Sequence, residues 1–235
     1  MPDGAMLEIR DLKGYYGESQ VLHGVDLSVG RGEVVTLVGR NGAGKTTTLR
    51  AIMGILAQRS GSVRVMGVET VRLPSERIAR LGIGYVPEER GIFASLNVTE
   101  NLLLPPKLTE SGMSIAEIYQ LFPNLKERAR SQGSRLSGGE QQMLAIARVL
   151  RTGAEFLILD EPTEGLAPVI VTQIGEVLRA IKRRGLTVLL VEQNFRFAAR
   201  VSDRHYVMES GKIIDLIAQS EIGEKMQRLE HYLGV

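Results

Sequence analysis

The sequence predicts an α/β protein with a mainly parallel sheet, an antiparallel portion at its N-terminal end and an inserted helical subdomain. Three observations carry this. Strand-like segments alternate with helical ones over most of the chain. Two runs, residues 156–159 and 187–191, are almost wholly apolar, as strands covered on both faces must be. The first three strand-like segments follow one another through glycine-bearing turns.

In chain order, residues 7–12, 21–27 and 33–38 read as short strands, with turns at Gly14, Gly17 and Gly30 to Gly32. A glycine-rich turn then leads into a helix over 45–53. A strand over 62–66, a helix over 74–81 and a strand over 83–87 follow. Residues 91–135 read as mostly helical, interrupted by Pro105, Pro106 and Pro123. A helix over 138–150 precedes the strand over 156–159, and a helix over 169–184 precedes the strand over 187–191. Short strands at 205–208 and 212–217 and a terminal helix close the chain. The expected organisation is one domain over 1–235, its core formed by residues 1–88 and 150–235 and the helical subdomain by 89–149.

Composition narrows the chemistry. The chain has 235 residues, 43% hydrophobic and 24% charged, with a formal net charge of +2. That balance argues against a nucleic-acid coat or a polybasic membrane anchor. The absence of cysteine removes disulfides, thiol catalysis and cysteine-ligated metal. His23, His205 and His231 are scattered, which leaves little for a histidine-ligated metal. The N-terminus has no secretory pattern, and the longest apolar runs (51–57 and 186–191) fall far short of the roughly 18 residues that span a bilayer. A cytosolic chain is expected, with any membrane part supplied by another subunit.

Residues Gly39, Arg40, Asn41, Gly42, Ala43, Gly44, Lys45 and Thr46 fit G-x-x-x-x-G-K-[ST] in full, after an apolar strand and before a helix. Such a loop turns successive N–H groups toward phosphate oxygens at a helix N-terminus. Lys45 is expected on the β- and γ-phosphates and Thr46 on Mg²⁺, with Thr47 beside it. The strand over 156–159 delivers Asp160 as a second metal anchor. Glu161 follows, placed to polarise an attacking water.

Leu136-Ser137-Gly138-Gly139-Glu140-Gln141-Gln142 offers a hydroxyl and unshielded amides at another helix N-terminus, a second anion site. With two such sites the chain resembles the ABC ATPases, in which the signature of one subunit closes over ATP held by the other. The resemblance implies the P-loop NTPase core of that family, ATP and Mg²⁺ as its cofactors, and further roles. Tyr16 would stack on adenine, with Tyr15 as the alternative. Glu88 stands where most relatives have a metal-sensing glutamine, and Gln193 stands at the switch-histidine position. Ala167 replaces an aspartate usual in the loop after Glu161. A glutamine cannot carry a proton near neutral pH, so no histidine titration is expected there.

The strings at 86–90, 160–168 and 191–194, and the ending 232–235, are similar to the shorter ATPase subunit of branched-chain amino-acid importers. Urea and short-chain amide importers share much of this wording, and a non-transport ABC ATPase is the remaining alternative. The resemblance implies a second ATPase subunit, identical or different, two membrane permeases, an extracytoplasmic solute-binding protein and no nucleic acid. It places the chain on the inner face of the cell membrane. It also implies a permease-binding groove around residues 91–102, where Phe93 and Leu96 are the candidates for exposure.

Overall fold

The computed structural model describes residues 4–225; the expected terminal helix begins within them at 222–225, and the rest of that segment, with His231 and the ending 232–235, lies outside them. The chain forms two sheets. In the first, β1 (Ala5–Tyr16), β2 (Ser19–Gly30), β4 (Gln58–Val65) and the two-residue β5 (Val68–Glu69) pair antiparallel in the order β2-β1-β4-β5. β1 and β2 are longer than the apolar pattern predicts. Their hairpin continues outward through polar residues, and the ladder is interrupted by register shifts.

The second sheet has the order β10-β9-β3-β8-β7-β6. Its strands are β3 (Val34–Val38), β6 (Ile83–Val86), β7 (Phe156–Asp160), β8 (Thr187–Glu192), β9 (Arg204–Glu209) and β10 (Lys212–Ala218). All neighbours run parallel except β10, which turns back antiparallel on β9. Every residue of β3, β7 and β8 is buried. Their side chains alternate between two cores, as the two-residue period of a strand requires. Val35, Leu37, Phe156, Ile158, Leu189 and Val191 face the antiparallel sheet and α1 (Lys45–Ile52). Val34, Leu157, Leu159, Val188 and Leu190 face the other way, toward α6 (Gly138–Thr152) and α7 (Pro168–Arg183).

Between β6 and β7 come α3 (Val98–Leu103), α4 (Ile115–Leu121), α5 (Pro123–Glu127), a 3₁₀ turn at Gly133–Arg135, and α6. Capping boxes start α3, α4 and α6: Asn97, Ser114 and Ser137 each accept from the amide three residues on, and that residue's glutamate accepts in return. Gly153, at φ 82°, ends α6 in the left-handed region. The stretch 91–135 is less helical than its composition predicts. Residues 104–114, which include Pro105 and Pro106, form no helix.

Two further short helices lie elsewhere among the described residues. The short α2 (Ser75–Ala79) precedes β6. The chain also has α8 (Phe195–Val201), which the sequence pattern does not reveal. Asn194 caps it by accepting from Phe197 N, and it buries Phe195 and Ala198 against Val38, Val207 and Ile217.

The sheet sets the position of the chemistry. β3, β6, β7 and β8 all end on the same edge, so the segments leaving them (39–44, 87–91, 161–164 and 193–194) meet there. That is where open parallel sheets carry ligand sites.

Candidate functional site

The loop from Gly39 to Gly44 joins β3 to α1. Gly42 and Gly44 sit at φ 79° and 106°, a region that side chains with a Cβ avoid. Gly39 has no room for one, since a Cβ there would lie 2.4 Å from the Met208 carbonyl oxygen. The turn between β9 and β10 braces the loop from behind. Gly211 N donates to Ala43 O at 2.8 Å, and His23 N of β2 donates to Gly211 O at 2.9 Å.

Lys45 is buried, and its Nζ donates to the carbonyls of Gly39 (2.8 Å) and Arg40 (3.1 Å). The same ammonium pairs with Glu161 Oε1 at 3.2 Å. Gln193 Nε2 donates to the other oxygen of that carboxylate. Glu161 adopts φ 45°, uncommon for a residue with a side chain and a form of local strain found at functional sites.

Thr46 Oγ1 donates to Asp160 Oδ1 at 3.2 Å, and the Tyr85 hydroxyl reaches Asp160 Oδ2 at 3.5 Å. Burial pushes the Asp160 carboxyl up to about 6 against these two hydrogen bonds, helped by the charges of Glu161 and Glu88. Burial, with Asp160 alongside, pushes the Tyr85 phenol up as well.

Lys45, Thr46, Glu161 and Gln193 converge on a cleft of about 470 Å³ that Val21, Asn41, Gly42, Gly44, Thr47, Glu88 and Glu164 also line, with Asp160 buried next to it through its hydrogen bond with Thr46. Asn41 is exposed within that lining, Arg40 before it is exposed outside the lining, and Ala43 is buried. A wider cleft of about 750 Å³ lies elsewhere, lined by residues of both sheets. There Arg204 is engaged with Glu33, Tyr206 and Ser28, so its guanidinium is committed to structure.

Among the described residues, no cluster of three or more Asp, Glu, His or Cys could cage a metal. Thr46 and Asp160 instead offer one hydroxyl and one carboxylate side by side. Hard oxygen donors of that kind fit Mg²⁺, which takes the rest of its octahedral shell from phosphate and water.

Other expected site residues lie apart from the cleft lining. Tyr16, at the end of β1, is 46% exposed, and its hydrogen bond with Arg50 raises the guanidinium pKa. Ser137, Gly138 and Gly139 form the start of α6 and are not among the residues lining the cleft. Ser137 Oγ accepts from Glu140 N at 3.3 Å, and a Cβ on Gly139 would press into Ile170 at 2.9 Å. Of the two exposure candidates, Phe93 is exposed beneath the Arg148 guanidinium. Leu96 is only partly exposed, and its backbone is tied to Phe93 and Gly133.

Sequence reasoning did not single out Tyr85 or Glu164. A hydrogen bond with Glu161 raises the Glu164 pKa, with burial and the Glu161 charge contributing.

A family profile described as ABC transporter matches residues 22–164, from β2 through Glu164. The chain belongs to the ABC transporter family. Within it the chain is an ATP-binding cassette, the component that binds and hydrolyses ATP. It is 46% identical over 212 residues to the high-affinity branched-chain amino acid transport ATP-binding protein BraG of Pseudomonas aeruginosa, covering 89% of this chain and 91% of that protein. It is 33% identical to the lipopolysaccharide export system ATP-binding protein LptB of Escherichia coli, over 98% of each chain. A solved ATP-binding subunit of an ABC transporter superposes with a TM-score of 0.80 at 29% identity, covering 98% of this cassette and 100% of that chain.

Proposed function

We propose that this cassette powers an importer of branched-chain or other hydrophobic amino acids. The observation that carries the catalytic half is the Lys45–Glu161–Gln193 cluster beside Thr46 and Asp160. The 46% identity to BraG supports the choice of solute.

In this reading the 39–47 segment wraps the phosphates of ATP. Lys45 exchanges its carbonyl partners for the β- and γ-phosphates, and Tyr16 stacks on the adenine. Mg²⁺, held by Thr46 and Asp160 with Glu88 nearby, supplies charge neutralisation at the phosphates. Glu161 orients a water. The water oxygen bonds to the γ-phosphorus as the bond to the β,γ-bridging oxygen breaks, and ADP leaves with that electron pair. Glu161 takes the proton, and the Gln193 amide holds its carboxylate in place.

Residues 89–149 act as a helical subdomain moving against a core of 1–88 and 150–235. Ser137, Gly138 and Gly139 close over ATP bound to a second cassette. No helix among the described residues is long and apolar enough to cross a membrane. Two permeases therefore supply the membrane path in this scheme, fed by an extracytoplasmic binding protein. The cassette docks on them at the inner face of the cell membrane.

Light scattering after size exclusion of Glu161→Gln, with Mg-ATP and with Mg-ADP, tests the catalytic half. A dimer with ATP alone is expected; a monomer that binds ATP assigns the productive partner to a different cassette. Uptake of labelled leucine and of labelled urea in cells lacking the chain tests the solute. Loss of leucine uptake alone is expected, and loss of urea uptake alone overturns the assignment.

A further inference from the structure

We propose that Glu192 is a positioning residue for hydrolysis: one buried carboxyl ties the segment bearing Glu161 to the segment bearing Gln193, so that the two side chains meet. The proposal rests on the reading of Glu161 as the group that activates water. Glu192 is the last residue of β8 and only 2% exposed.

Its hydrogen-bond partners in the structure are neutral. Oε1 accepts from Thr163 N at 3.2 Å and from Thr163 Oγ1 at 2.7 Å, and Oε2 accepts from Asn194 N at 3.3 Å. Thr163 lies two residues beyond Glu161, and Asn194 lies one beyond Gln193. The carboxyl thus holds both of the segments whose side chains meet in the hydrogen bond from Gln193 Nε2 to Glu161 Oε2.

Two physical considerations make this more than packing. A buried carboxyl served by neutral donors is costly, and an apolar side chain of similar volume would fill the place more cheaply. Glu161 also occupies a left-handed backbone conformation, which persists only where the surroundings hold it. Glu164 N closes a turn onto Glu161 O at 3.1 Å, and Thr163, inside that turn, is the residue Glu192 grips by both amide and hydroxyl. Releasing Thr163 frees the turn, and with it the direction in which the Glu161 carboxylate points.

The test is a double-mutant cycle on the full chain, reading kcat, ATP affinity and melting temperature for Glu192→Ala, Gln193→Ala and the pair. Glu192→Ala is expected to lower kcat about tenfold or more with ATP affinity within about twofold, and Gln193→Ala to cost little further in that background. Thr163→Val, which removes only the hydroxyl donor, should reproduce the loss, and Thr163→Ser should regain most of it. If Glu192→Ala does not fold, Gln193→Ala in the Thr163→Val background closes the same cycle. Independent, multiplying effects on kcat overturn the proposal, as does a folded Glu192→Ala with wild-type kcat. Failure of the underlying reading shows separately, as wild-type kcat in Glu161→Gln.

Discussion

Glu161 carries three constraints at once: a left-handed backbone, an ion pair with Lys45 and an amide donor from Gln193. Because that donor is an amide, the rate of hydrolysis should show no titration near 6.5 from this position. Gln193→His should introduce one, read from kcat between pH 5.5 and 8; a wild-type titration there that disappears in Gln193→Ala contradicts this. Glu192 has a different pH signature, one of stability. Burial pushes its carboxyl up to about 7 against the hydrogen bonds from Thr163 and Asn194. Between the ordinary carboxylate range and 7 the folded state therefore holds more protons than the unfolded one, and stability falls as pH rises through that window. Urea denaturation at pH 4.5 and 7.5 should show the wild type losing on the order of 3 kcal/mol more than Glu192→Gln. Lys45, Thr46, Asp160 and Glu161 were legible in the sequence because the phosphate loop and the apolar strand end are local patterns. Tyr85 and Thr163 were not, because their partners lie 75 and 29 residues away and no local pattern reports them.

Helix ends tell the same story at the scale of elements. The start of α6 was legible at Ser137 and the strands β7 and β8 in their apolar runs, whereas α3 and α4, which also open on capping boxes, were legible only as part of one helical stretch over 91–135. α8 escaped because it has only seven residues, too few for periodicity to show, although Asn194 stands in front of it as a cap. α7 is the opposite case: a long amphipathic helix that starts at Ala167, which offers no side-chain cap. Ala167 is exposed, so Ala167→Asp should add about 1 kcal/mol of stability by accepting from the first-turn amides, measurable by chemical denaturation. The segment before α3 supplies a test of the proposed permease docking. Phe93→Asp should leave ATP binding intact and abolish stimulation of ATPase activity by reconstituted permeases. Leu96→Asp, at a partly buried site, should also lower the melting temperature. Loss of ATP binding in Phe93→Asp would show structural damage instead of a lost docking contact.

For the whole molecule, the parallel sheet and the antiparallel N-terminal sheet were both legible, because strand type follows from burial and turn spacing. The order of strands was not, since neighbours in a sheet are chosen by packing across the whole chain. That order has a consequence for how the protein is made. β3, which launches the phosphate loop, is synthesised early, yet its two neighbours are β8 and β9 near the other end of the chain, and its brace is Gly211. A ribosome that has translated every residue of the matched family region, 22–164, has not yet made either strand that flanks the loop's own strand. Long-range pairing of that kind is slow to form and leaves apolar strands waiting. The nascent chain should therefore be unable to hold ATP until the β9–β10 turn has emerged. Nucleotide should then find no site while the first strands are being made, and bind only after the β9–β10 turn has closed behind the loop.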